Sequence, residues 1–156
     1  MTTDPGPQQS AATAQRLSDA MKRLRARLRA ESGQHSVGLT LTQLAVLGSV
    51  VREGPVTAAR LAALEHVSPQ SIAQSLAVLK AAGLVHSEPD PQDGRRKLMS
   101  ADPTATQLID NLLAGRAAFL TRAIDRVVAV EERQDLEKAI VLLERLAAAD
   151  LSDGGI

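Results

Sequence analysis

Between Gly83 and Asp102 the chain abandons the pattern that governs the rest of it. Elsewhere apolar residues recur three and four apart, the spacing of one helix face. Here LVHSE is short and partly alternating, PDPQDG is all turn chemistry, and RRKLMS is again short and extended. Two short strands around a Pro/Asp/Gly loop predict a β-hairpin. One hairpin inserted into a helical chain leaves few folds open, and the helices before it decide among them.

Four precede it. Leu17, Met21, Leu24 and Leu28 form one helical face within residues 11–31, with Arg16, Lys22, Arg23, Arg25, Arg27 and Arg29 around the remainder. Gly33 and Gly38 break that helix. Thr40 opens the next in TLTQ, a Thr cap with Gln three residues on, and Leu41, Leu44, Leu47 and Val51 give it an apolar stripe. Thr57 caps a short third helix carrying Leu61 and Leu64. Ser68-Pro69, a cap residue followed by proline at the first helical position, starts the fourth. Ile72, Leu76 and Leu79 share its inner face, and Gly83 ends it in a left-handed conformation. Beyond the hairpin, Leu108, Leu112, Phe119, Leu120, Ile124, Val127 and Val128 predict a long helix over 103–130. Leu136, Ile140, Leu143 and Leu146 predict a last one over 132–148.

The organisation expected is a disordered tail (1–10), a first helix and linker (11–39), a lobe of helices and hairpin (40–102), two terminal helices (103–150) and a frayed end (151–156). The fold class is mainly α with a small β-hairpin. Composition agrees, because 156 residues make one domain's worth of chain. The core has no Trp or Tyr and one Phe, Phe119, so it must be aliphatic. Lack of aromatics disfavours modules that stack bases on rings. Lack of cysteine excludes disulfides, thiolate nucleophiles and thiol redox sensing. Formal net charge is zero, so any nucleic-acid binding must use local patches. Residues 11–31 carry +4, residues 32–100 carry +1, and residues 101–156 carry −4. No apolar run is long enough to span a membrane and the N-terminus does not read as a signal peptide, so a cytoplasmic protein is expected.

Three short helices followed by a hairpin make a winged helix-turn-helix. The major groove, about 12 Å wide, admits one helix, and the segment Ser68–Ala82 would be that helix. With Ile72 inward, Gln70, Gln74, Ala77 and Ala81 face out, Ser71 and Val78 lie on the flank, and Ser75 sits nearer the core edge. Ser68, Gln70, Ser71, Gln74 and Ser75 are the DNA-contact candidates on the helix. A basic wing tip suits the narrow, negative minor groove, and Arg95, Arg96 and Lys97 are the candidates there. On alternating geometry Arg95 and Lys97 point one way and Arg96 the other. Other cations available to phosphates are Arg52 and Arg60.

GLTLTQLAVL (38–47), GPVTAARLA (54–62), VSPQSIAQSLAVLKAAGLV (67–85) and DPQDGRR (90–96) together resemble the MarR family of bacterial transcriptional regulators. The resemblance covers roughly residues 13–148, and its most recognisable motif is the Asp-x-Arg of Asp93 and Arg95. It implies a homodimer with intertwined first and last helices, bound to a pseudo-palindromic operator on double-stranded DNA, as a repressor. It also implies that Asp93 braces Arg95, which enters the minor groove. Many such proteins release DNA when a small-molecule effector fills a cleft, which the resemblance would line here with Leu17, Met21, His35 and Leu44. Ser87 and Val78 depart from the pattern, since the family commonly has Arg at both. The helix has no Lys or Arg between Ser68 and Leu79.

His35, His66 and His86 are separated singletons, so no metal site is expected, nor any cofactor. The helix over 103–130 contains no His, so the zinc-sensing branch of the family finds no match. No nucleophile, phosphate loop or paired-carboxylate constellation points to an enzyme. The alternative is a winged-helix dimer that has lost DNA binding and serves as a protein-interaction module. Dimerisation itself is expected on separate grounds, because the last two helices carry Leu and Ile that one small lobe cannot cover.

Overall fold

The computed structural model describes residues 7–150. Helix α1 runs Pro7–Glu31, α2 Leu41–Glu53, α3 Ala58–Glu65, α4 Pro69–Ala81, α5 Pro103–Val127 and α6 Arg133–Ala147. Strands β1 (Val56–Thr57), β2 (Val85–Pro89) and β3 (Lys97–Ala101) make one antiparallel sheet in the order β1-β3-β2. The chain divides into two compact units, Met1–Ala117 and Ala118–Ile156.

The helix starts are as their caps predict. Thr40 accepts the Gln43 amide at 3.2 Å while the Gln43 side chain accepts the Thr40 amide at 2.9 Å, a complete capping box. Thr57 accepts the Arg60 amide, and Ser68 accepts the Ser71 amide ahead of Pro69. Gly83 ends the α4 segment at φ 69°.

Three boundaries differ from expectation. Helix α1 already includes Pro7–Ser10, which were read as tail; proline suits a first helical turn and nothing after it breaks the helix. The rest of that tail, 1–6, and the frayed end 151–156 lie outside the described residues. Helix α5 stops at Val127, not 130, where Glu132 turns back to accept the Ala129 amide at 3.0 Å and Val130–Glu132 form a short 3-10 turn. The hairpin is also not alone. Val56 and Thr57 pair with Met99 and Leu98, so the wing is anchored by a third strand.

The core belongs to the lobe. Leu47, Leu61, Ile72 and Leu79 are fully buried, and Val46, Val50, Val56, Leu76, Leu84, Val85, Met99, Ala105 and Ile109 complete one cluster. It draws on α2, α3, α4, all three strands and the start of α5, so the helix-turn-helix and the wing are packed as one body. Close approach tightens it further. A Cβ at Gly54 would lie 2.6 Å from the Val50 carbonyl oxygen, so only glycine fits between α2 and β3. At the other end of the same unit, α5 passes close to the chain following α1. A Cβ at Gly115 would lie 3.2 Å from the Ser32 Cα, and the Arg116 guanidinium donates to Gln34 Oε1 at 3.1 Å.

Candidate nucleic-acid interface

Helix α4 shows two faces. Its inner row is Ile72, Leu76 and Leu79, at 0%, 5% and 0% exposure. Ser75 joins that row at 5%, so it is removed from the outward set; its position between Ile72 and Leu79 puts it on the buried arc. Gln70, Ala73, Gln74, Ala77, Val78 and Ala81 are exposed, Ser68 is exposed at the cap, and Ser71 is half-buried. The two glutamines lie four apart, hence on one side of the helix.

The end of α4 is tied to the wing. Lys80 Nζ donates to Ser87 Oγ at 3.1 Å, joining the recognition helix to β2. Behind β2, His86 Nδ1 lies 3.0 Å from Asp102 Oδ1, and its Nε2 lies 3.7 Å from Glu88 Oε1. Asp102 in turn donates its amide to the Leu84 carbonyl and accepts the Ala105 and Thr106 amides with its own. The wing base is thereby fixed to the start of α5.

Backbone bonds shape the wing tip. Asp90 donates its amide to the Arg96 carbonyl at 2.9 Å and accepts the Gln92 amide on its carboxylate at 2.9 Å. Asp93 repeats the device, accepting the Arg95 amide on Oδ1 at 3.1 Å and the Arg96 amide on its carbonyl at 2.9 Å. Such Asx turns fix a loop without a hydrophobic core. The expected brace therefore takes a different form. Asp93 holds the Arg95 backbone, and its other oxygen pairs with the Arg96 guanidinium at 3.4 Å. Arg95 itself makes no ion pair among the described residues, and it is exposed, as are Arg96 and Lys97.

Arg52 is exposed, and one of its donors is used within the lobe. Its Nη2 donates to Ser49 Oγ at 2.8 Å, and the fully buried Ser49 hydroxyl donates to Glu65. That chain of bonds locks α2 to α3. Arg60 is exposed on the first turn of α3.

A cavity of about 310 Å³ lies within the first unit, lined by Arg29, Gln34, Gly38, Leu39 and Leu41. Leu17, Met21 and Leu44 are not among its described lining residues. Leu44 is buried at 6% exposure but outside the lobe's core cluster, Leu17 is half-buried on α1, and Met21 is 46% exposed. His35 lies in the 3-10 turn Gln34–Ser36, and its side chain is outside what the structure describes. Gln34 is buried, and the Arg116 guanidinium that reaches it keeps a buried Nε without a partner. Among the described residues, no group of three or more His, Asp or Glu is placed to hold a metal ion. No described helix is long and apolar enough to cross a membrane.

Three comparisons fit this geometry. A family model described as the MarR family matches residues 37–96, which span the lobe from before α2 to the wing tip. An HTH-type transcriptional regulator of Mycobacterium leprae is 34% identical over 108 residues, covering 69% of this chain and 74% of that one. Among solved structures, a transcriptional regulator protein from Pseudomonas aeruginosa superposes with a TM-score of 0.77 at 31% identity, over 91% of this chain and 98% of that one. A MarR family regulator from Silicibacter pomeroyi shares the fold at 24% identity, with a TM-score of 0.62 over 86% and 88% of the two chains.

Proposed function

The chain belongs to the MarR family of transcriptional regulators, and from that premise we propose that it is a homodimeric repressor reading a pseudo-palindromic operator on duplex DNA. In this reading α4 enters the major groove with Gln70 and Gln74 toward the bases. Ser68 and Ser71 sit at the helix start, facing the phosphates. Arg95 reaches into the minor groove, while Arg96 and Lys97 contact the backbone. The protein acts in the cytoplasm, where a bacterial chromosome lies.

One observation carries the reading. Among the described residues the Arg95 guanidinium has no ion-pair partner, at the tip of a wing whose backbone is held in place by Asp90 and Asp93. A free cation on an ordered loop suits a target of dense negative charge, such as a narrow minor groove. The aliphatic side chains exposed on α6, Ile140, Leu143 and Leu146 among them, support the dimer. The open cavity beside Arg29 and Gln34, about 310 Å³, is where an effector that releases DNA is to be sought. An effector there must change thermal stability and DNA affinity together.

Gel shifts against the DNA flanking its own gene, at two salt concentrations, test the proposal. A steep loss of affinity with salt is expected, because phosphate contacts release counterions. Arg95→Ala should weaken binding by roughly 1–3 kcal/mol. Equal affinity of Arg95→Ala and the parent chain at fixed salt would remove the wing from the mechanism. Absence of any shift at either salt would instead favour a protein-interaction module, the role that an almost uncharged α4 would also suit.

A further inference from the structure

The outward face of α4 has an unusual chemical economy. From Pro69 to Ala81 the helix is PQSIAQSLAVLKA. It contains no Arg, no Asp and no Glu, and its one cation is Lys80. Lys80 sits in the last turn, and its ammonium is engaged with Ser87 on the neighbouring strand. What the helix does expose is two primary amides, Gln70 and Gln74, beside methyl-bearing Ala73, Ala77 and Val78.

Val78 is the informative residue. Every other large apolar side chain of α4 is buried to 5% exposure or less, whereas Val78 is 42% exposed. It lies four residues after Gln74, one turn further along the same side. An apolar group held out beside hydrogen-bonding amides can take an apolar partner within an otherwise polar surface.

Base chemistry supplies one. In the major groove guanine offers two acceptors and is read best by Arg or Lys, and cytosine offers a donor read by Asp or Glu. Adenine offers an acceptor and a donor that match a Gln amide, and thymine adds a methyl group that favours Ala or Val. The α4 surface has free groups of the second kind and lacks those of the first.

We propose that α4 reads A·T pairs: Gln70 and Gln74 select adenine, and Val78 with Ala77 packs against thymine methyls. This specificity rests on the DNA-reading function proposed above and narrows its target. The operator half-sites are A·T pairs where α4 enters, and guanine in those positions meets single amide donors instead of a bidentate Arg or Lys.

Selection of bound duplexes from a random-sequence pool by the full-length chain is the test, repeated with Gln74→Ala. Gln74 is exposed and Ala favours helix, so that variant keeps the fold. The parent chain should recover half-sites with A·T at the central positions, and Gln74→Ala should relax the preference at one of them. Replacing that A·T pair with G·C should weaken binding roughly 5- to 150-fold. Replacing the thymine facing Val78 in one half-site with uracil should weaken binding roughly fourfold, the worth of one buried methyl. Val78→Arg should shift the recovered half-sites toward guanine. Recovery of fixed G·C pairs at the positions that Gln74→Ala alters would overturn the A·T assignment while leaving a DNA reader intact. Indifference to uracil would overturn the role of Val78. Recovery of no sequence at all would overturn both the assignment and the function beneath it.

Discussion

The lobe and α6 are built from the same aliphatic residues and treat them in opposite ways. In the lobe, Leu47, Leu61, Ile72 and Leu79 have no exposed surface. In α6 no residue is buried, and Ile140, Val141, Leu142, Leu143 and Leu146 are 40%, 53%, 54%, 40% and 61% exposed. Leu136, Ile140, Leu143 and Leu146 follow helical spacing, so this exposure is an organised face and not scattered residues. A face of that kind costs solubility unless something covers it. A lobe that closes its own core can turn its surface to DNA. A helix that closes nothing by itself is the part of the chain that calls for a second copy. The two regions therefore answer to different tests: one to stability within a chain, the other to association between chains.

The largest effect should come from opening the lobe. Leu47→Ala removes a fully buried side chain from the cluster joining α2, α4 and the sheet. A loss of about 2–5 kcal/mol in unfolding free energy is expected, read from urea denaturation at fixed protein concentration. A loss below about 1 kcal/mol would mean that the lobe is not the self-sufficient half of the contrast.

Why one region was readable and the other only half so is a matter of range. Helix α4 is written locally: Ser68-Pro69 opens it, Gly83 closes it, and Ile72, Leu76 and Leu79 fix its inner face. The capping box at Thr40 and the hairpin turn chemistry are local too. Strand β1 is two residues long, and it is a strand only because Met99 and Leu98 lie opposite. Spacing already put Ser75 near the core edge, and packing buried it to 5% exposure, which a helical wheel alone does not quantify. The Asp93 carboxylate was legible as a brace, but which arginine side chain it meets depends on the turn around it. The bond from Arg116 to Gln34 spans 82 residues, beyond any pattern a single sequence displays. For α6 the stripe was plain, yet a stripe shows only that a face needs covering.

A second experiment addresses that cover directly. Ile140→Glu combined with Leu143→Glu places two charges in the middle of the α6 stripe. In a water-facing helix such changes cost little, usually within about 0.5 kcal/mol. Across a packed interface they should weaken self-association about a hundredfold, or about 2.8 kcal/mol, measured by equilibrium sedimentation across a dilution series. A dimer of unchanged strength would place the contact elsewhere and dissolve the distinction between the regions.

The smallest effect should come from the polar side of the same helix. Lys138 pairs with Asp135 at 2.8 Å, with 64% and 75% of their side-chain surfaces exposed. Coulomb attraction there is screened by water, and holding two long side chains together costs entropy, so such pairs contribute roughly 0–1 kcal/mol. Lys138→Ala should accordingly leave thermal unfolding nearly unchanged and self-association within a factor of about two, well inside that range. The value of this variant is its contrast with the glutamates two and five residues away. If loss of Lys138 loosened the dimer as much as they do, α6 would associate through charge, and the association would then weaken steeply with salt. Indifference to both Lys138→Ala and salt, beside a large effect from Ile140 and Leu143, is what an apolar interface requires.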